Sequence, residues 1–338
     1  MRNFELQSQN FSLIKEMFDT PDIIRNFDEA IVDAVFEEIK KEPFLMLTGE
    51  GSSRFFPARN MISRRLQMQH GPTIISKSSF DLSGLDLSDF VIFGASNSGR
   101  TKEIVSLFMQ LKEKGHKNLF GLTCNKNSLL EEYSKRTVVL EIGSETAVAA
   151  TKSAVAQACF YELLLSRWAG VKVNKSSLAE DFEKTLNIPV AVEIIDAMAG
   201  ADHIYFAGKN SGVAEELALK TPETVRKKSA FFPGTYLLHG VEEVISPKDV
   251  IILVDEFPDH QEKIKKIFVD GIGTMVVSIS AEKSIFPNIS LSMRDVFNNN
   301  YVRLAAGWRL LAETGLNLGI NLDKPERARK IGNEMEIV

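Results

Sequence analysis

Short apolar runs that alternate with segments of helical periodicity are the feature that most limits what this chain can become. Pro43–Thr48, Phe90–Phe93, Leu119–Thr123 and Thr137–Glu141 read as strands, and Phe55–Gln67, Thr101–Lys114 and Ser128–Lys135 read as the helices between them. A strand that is apolar along its whole length has to be covered on both faces. Helices in the connections supply the cover, so the pattern specifies a parallel sheet in a doubly wound α/β arrangement. The plan then recurs. Asp202–Gly208 echoes Glu42–Gly49, Asp249–Leu253 echoes Asp89–Phe93, and Gly273–Val277 echoes Asn118–Leu122. Gly208 lies 159 residues after Gly49 and Asp249 lies 160 after Asp89. A near-constant offset over several elements implies an internal duplication, and with it two tandem flavodoxin-like lobes.

Four segments follow. Residues 1–42 are N-terminal helices, with Ile14–Lys41 interrupted at Thr20-Pro21 and Pro21 expected to open a second helix, since proline suits a first helical turn. Residues 43–198 form the first lobe and its connecting helices. Ala154, Val155, Ala158, Leu163 and Leu164 keep helical spacing there, and Gly170 and Pro189 are the breaks. Residues 199–320 form the second lobe, closing on a helix that runs from beyond Asn298 to about Leu318, and residues 321–338 are a polar tail with too few apolar side chains for a core of its own.

A chain of 338 residues suits two lobes better than one core. Its net charge of −5, with Lys and Arg scattered among acidic residues, argues against a nucleic-acid partner, whose phosphate backbone requires clustered cations. The longest apolar stretch, Val148–Leu165, is interrupted by Thr151, Lys152, Gln157 and Glu162, so a membrane partner is not expected either. Met1–Asn10 lacks the apolar core of a signal peptide, and a cytoplasmic protein is expected. Cys124 and Cys159 lie inside apolar runs and are expected as buried thiols. No Cys/His spacing suggests a metal site, and neither metal nor organic cofactor is expected.

Gly94-Ala-Ser-Asn-Ser-Gly-Arg-Thr101 carries the strongest chemical signal. It joins a buried strand to a helix at the carboxyl end of the sheet, where such folds bind ligands. Unpaired N–H groups and the helix dipole attract an anion there. A cap needs one hydroxyl; Ser96, Ser98 and Thr101 offer three, with Asn97 beside them. Gly49-Glu50-Gly51-Ser52-Ser53 follows the first strand in the same manner, as a weaker signal. Neither turn has a Walker lysine, and the first lacks the third glycine of a dinucleotide fingerprint. The matching position of the second half, Asp255-Glu256-Phe257-Pro258-Asp259, is acidic, so the anion site is expected in the first lobe only.

That turn, with Glu145-Thr-Ala-Val-Ala-Ala-Thr-Lys152, Glu215-Glu-Leu-Ala-Leu-Lys-Thr-Pro-Glu223, Leu238-His239-Gly240 and Asp323-Lys-Pro-Glu-Arg-Ala-Arg-Lys330, resembles the SIS (sugar isomerase) family along nearly the whole chain, in order. The likeness is to the isomerase half of glucosamine-6-phosphate synthase and its stand-alone deaminase and deglycase relatives. The resemblance implies that Ser96, Asn97, Ser98 and Thr101, with Ser53 nearby, hold a sugar phosphate. Gly51, Ser52, Glu145, Val148, Ala150, Glu216 and Lys220 are then further substrate contacts. It implies Glu223 as the carboxylate that moves a proton between C1 and C2, a role for which a tunable carboxylate is suited. It implies His239 as the ring-opening group, reaching in from a second copy in a homodimer, and Lys330 as a lysine able to form a Schiff base if its surroundings, Arg327 and Arg329 among them, lower its pKa. The tail would close the active site.

The sequence departs from the synthase pattern at Arg100, where an acidic residue is common, at Ala150, where a serine is typical, and at Leu238 and Val241, where lysine and proline flank the histidine. A glutaminase domain is not expected, since neither cysteine lies near residue 1. The reading is an isomerase/deaminase of a 6-phosphorylated amino sugar of the glucosamine-6-phosphate or fructose-6-phosphate type. A fructosamine-6-phosphate deglycase and a non-catalytic sugar-phosphate sensor are the alternatives.

Overall fold

The computed structural model describes residues 11–255, 257–294, 299–330 and 332–335. Two helices come first, α1 (Ser12–Arg25) and α2 (Ala30–Ile39). Pro21 does not open the second of them: it lies inside α1. Leu13, Ile14, Met17 and Ile24 are buried on both sides of the proline, and this shared apolar stripe keeps the helix continuous across the lost hydrogen bond.

The first sheet is built from β1 (Phe44–Gly49), β2 (Thr73–Lys77), β3 (Val91–Ala95), β4 (Leu119–Thr123) and β5 (Arg136–Val139). Between and after them come α3 (Phe55–Arg65), the one-turn α4 (Ser79–Leu82), α5 (Lys102–Glu113), α6 (Leu129–Tyr133) and α7 (Lys152–Ala169). All neighbours are parallel, in the order β2-β1-β3-β4-β5. β3 and β4 are buried at every residue, as their apolar runs require. Ile92, Leu119, Ile104, Leu107, Phe108 and Leu111 pack between β3, β4 and α5. α7 is buried nearly all round, so its polar residues need internal partners. Glu162 receives Arg64 Nε at 3.2 Å and Asn60 Nδ2 at 3.1 Å; burial still pushes its pKa up against both.

After α7 come α8 (Lys175–Leu186) and α9 (Val192–Gly200). Gly170 caps α7 in the left-handed conformation, and Pro189 falls between α8 and α9. The second sheet comprises β6 (His203–Gly208), β7 (Lys228–Pro233), β8 (Val250–Val254), β9 (Met275–Ser280) and β10 (Asn288–Ser290). Its helices are α10 (Val213–Thr224), α11 (Gln261–Ile264, prolonged by a π-helical stretch over Lys265–Ile272) and α12 (Asn299–Asn317). Its order, β7-β6-β8-β9-β10, is parallel throughout and repeats that of the first sheet strand for strand. No described helix is long and apolar enough to cross a membrane.

The two sheets define two compact units. The first comprises Asp22–Glu145, Ala150–Asn174 and the chain from Arg329 onward; the second comprises the described residues up to Pro21, Thr146–Ala149 and Lys175–Ala328. Each unit thus borrows short segments from the far end of the chain. Glu16 of α1 accepts the N–H groups of Thr146 (2.5 Å) and Ala147 (3.3 Å) within the second unit, and Asp323 accepts those of Ser12 (2.6 Å) and Leu13 (2.9 Å).

Candidate functional site

In the first unit, β1 and β3 pair so that Gly49 lies opposite Ala95, and the two turns that follow emerge side by side at the carboxyl end of the sheet. The turn after β3 is pinned to β4: Ser96 N donates to Leu122 O, and Asn97 O accepts from Cys124 N (3.0 Å) and Asn125 Nδ2 (2.7 Å). Gly99 has φ +63° and a Cβ there would lie 2.4 Å from Ser128 Cβ, so the tight passage admits glycine only. The hydroxyls converge as the spacing predicts. Ser96 Oγ lies 2.7 Å from Thr101 Oγ1 and 3.4 Å from Ser98 Oγ, while Gly99 N donates to Ser96 Oγ and Arg100 N to Ser98 Oγ. Thr101 precedes α5 as its N-cap without a side-chain cap bond, so these hydroxyls do more than end the helix.

The smaller turn, Gly51–Ser53, is a single 3₁₀ turn. Ser52 is buried, and Ser53 Oγ accepts Gln157 Nε2 at 3.4 Å. Glu50 is tied to the amide of Ser79 (2.9 Å); burial first, and then the charge of Glu103, raise its pKa.

Glu145 is the hub of this unit. Its side chain is 1% exposed. Oε1 accepts the amides of Thr151 (2.9 Å) and Ser153 (3.0 Å), and Oε2 accepts Ser153 Oγ (2.7 Å), Asn97 Nδ2 (2.9 Å) and Lys330 Nζ (2.8 Å). Burial alone would raise its pKa, but the charge and hydrogen bond of Lys330 and the Ser153 donors outweigh burial and hold it below the ordinary value. Cys124, next to this pair and half-buried rather than fully buried, has its thiol pKa pushed up, by burial first and by Glu145 second. Lys330 therefore stands on a carboxylate, while Arg327 and Arg329 are exposed.

The tail also reaches the serine turn. Lys102 N donates to Asn333 O (3.1 Å) and Met335 N to Arg100 O (2.9 Å), Thr101 and Glu334 form an antiparallel bridge, and Arg100 pairs with Glu334 at 2.8 Å. Arg100, the residue that departs from the synthase pattern, so holds the tail. Spacing along a chain cannot show a contact between residues this far apart. Ser153 was also missed, though a hydroxyl two residues beyond Thr151 at the opening of α7 was a readable sign.

In the second unit, α10 places Glu216, Lys220 and Glu223 on successive turns of one face. Lys220 Nζ lies 3.6 Å from Glu216 Oε1 and donates to Glu223 Oε2 at 2.7 Å. Glu216 and Lys220 are buried and Glu223 is 24% exposed, so Glu223 is the member that meets solvent. Pro222 lies inside α10 and leaves Ala218 O without its helical donor; Ser229 Oγ of β7 supplies one at 2.5 Å. His239 follows a short 3₁₀ turn after β7 and is exposed, before Gly240. Val148 belongs to the second unit and Ala150 to the first, both half-buried. Of the acidic stretch after β8, Asp255 is ion-paired to Lys209 and Arg303, and Glu256 lies outside the described residues.

Residues 74–167 match a family model described as SIS domain. The chain is 25% identical to a glutamine–fructose-6-phosphate aminotransferase (isomerizing) of Sulfolobus acidocaldarius, an alignment that covers 94% of this chain and 56% of that protein. It therefore spans about half the length of that relative. Among solved structures, a tagatose-6-phosphate ketose/aldose isomerase from Escherichia coli superposes with a TM-score of 0.77 at 18% identity, covering 95% of this chain and 98% of that one. A glucosamine-6-phosphate deaminase from Thermotoga maritima gives a TM-score of 0.74 at 21% identity, covering 94% and 98%. At such identities the likeness establishes a common fold of two parallel five-stranded sheets flanked by helices.

Proposed function

We propose that this SIS-domain chain is a phosphosugar isomerase/deaminase whose substrate is a 6-phosphorylated amino sugar. The reading rests on one observation above all: three hydroxyls, from Ser96, Ser98 and Thr101, gathered at the start of α5, with Asn97 anchored to a buried, ionised Glu145. Such a cluster suits the oxyanion of a phosphate ester, aided by the positive end of the helix. The names of the relatives, which act on sugar phosphates, favour the same class.

In this reading Ser53, Ser96, Asn97, Ser98 and Thr101 hold the phosphate, while Gly51, Ser52, Val148, Ala150 and Glu216 shape recognition of the sugar. His239, exposed in one chain, opens the ring, reaching the substrate of a second copy in a homodimer. Glu223 takes the proton from C2 of the open-chain sugar and returns it at C1, with the Lys220 ammonium 2.7 Å away to balance the carboxylate as charge develops. Hydrolysis at C2 then releases ammonia and leaves fructose 6-phosphate. Lys330, donating to Glu145, is the amine that would form an imine with a ketose, losing its proton once the substrate has drawn it off that carboxylate. The tail, bridged to Thr101 through Glu334, closes over the phosphate seat.

The test is release of ammonia and fructose 6-phosphate from glucosamine 6-phosphate, with fructosamine 6-phosphates assayed alongside. Glu223→Gln is expected to lower kcat by about a hundredfold or more while sugar-phosphate binding persists, the loss typical of a removed acid–base group. Turnover of fructosamine phosphates alone would replace deamination by deglycation. Tight binding with no turnover of any of these substrates would overturn the enzymatic reading.

A further inference from the structure

The second unit has a crevice of its own, at the carboxyl ends of β6 and β8, where the strand order reverses and open α/β sheets take ligands. The strands approach so closely there that a Cβ on Gly208 would lie 1.7 Å from Val254 O. Lys209 and Ser211 leave β6 toward α10, Asp255 leaves β8, and Arg303 arrives from α12. Asp255 Oδ1 receives Lys209 Nζ at 3.3 Å and Arg303 Nη2 at 3.0 Å, so one carboxylate faces two cations. The charge of Asp255 is thereby offset, with Glu282 a further carboxylate acting on Arg303.

Donors without acceptors remain. Arg303 is 7% exposed and cannot shed its charge, yet its Nε has no partner among the described residues. Ser211 is 3% exposed, and its Oγ likewise lacks one. Gly212 caps α10 without a side-chain bond, so the opening N–H groups of a twelve-residue helix add to the set. Buried donors left unmet are costly, and those of a resting crevice point to an acceptor-rich guest.

We propose that this crevice binds a phosphomonoester, a second one per chain, with its oxyanion received by Arg303, Ser211, Lys209 and the start of α10. Lys209, Ser211 and Arg303 have no part in the proposed catalytic or substrate-binding machinery, so the site would serve as a sensor of a phosphorylated metabolite rather than as a second reaction centre.

Calorimetric titration with fructose 6-phosphate tests it. The wild-type chain is expected to bind two equivalents. Lys209→Met and Ser211→Ala should each weaken one of them by about tenfold or more, as loss of a charged or buried hydrogen bond does, and leave the other unchanged. Ser98→Ala should do the reverse. Arg303→Met probes the buried cation, and the exposed Lys209 and the small Ser211 keep the test open if that variant fails to fold. One equivalent or two, if none of them is weakened by Lys209→Met and Ser211→Ala, would overturn the proposal. A single equivalent that Lys209→Met weakens and Ser98→Ala does not would count against the first-unit reading and leave this one standing.

Discussion

Glu145 shows at the residue scale how a buried charge is made tolerable. Five donors surround it, two from Ser153 and one each from Thr151, Asn97 and Lys330. With its folded pKa held below the ordinary 4.5, the carboxylate contributes stability that is fully present above the unfolded value and is lost as pH falls through the folded one. Thermal melts from pH 7 down to about pH 3 should therefore fall on the acid side, and Glu145→Gln should flatten that fall while costing about 1–3 kcal/mol at neutral pH. A Glu145→Gln chain with an unchanged acid limb would mean that other carboxylates govern it. The residues of this network were legible unequally. Asn97, Glu145 and Lys330 were marked by family motifs, whereas Glu334 was invisible because its partner Arg100 lies more than two hundred positions away.

Elements depend on such single bonds too. α10 carries Glu216, Lys220 and Glu223 around a proline, and the carbonyl freed by Pro222 is met from β7 by Ser229. Ser229→Ala leaves that carbonyl without its donor, at an expected cost of about 1–3 kcal/mol in urea unfolding, with turnover reduced because Lys220 and Glu223 flank the defect. Valine at position 229 should do the same; full stability in both would assign the bond no weight. The interior strands β1, β3, β4, β6, β8 and β9 were readable because burial on both faces demands unbroken apolar runs. β2, β7 and β10 were missed for the converse reason: they lie at or near sheet edges, are half-exposed or only three residues long, and mix polar with apolar side chains. Pro21 misled in the opposite sense, since tertiary burial along α1 overrode a local stop signal.

For the whole molecule, the repeated offset of apolar runs foretold two sheets with one strand order, but nothing in local pattern foretold how the chain would divide between them. The stretch 170–174, largely exposed between α7 and α8, is the natural place for a protease to enter. A cut there would not free two independent halves. The upstream fragment keeps Ser12 and Leu13, whose amides are held by Asp323 downstream, and the downstream fragment keeps Lys330 and Asn333, which are held by Glu145 and Lys102 upstream. Severed protein should accordingly elute from a sizing column as one species under native conditions and separate only in denaturant; early separation would show the exchanged segments to be too weakly held. Chain continuity is thus redundant at that point: each unit is stitched from both sides of the break, and the stitches hold when the thread between α7 and α8 is cut.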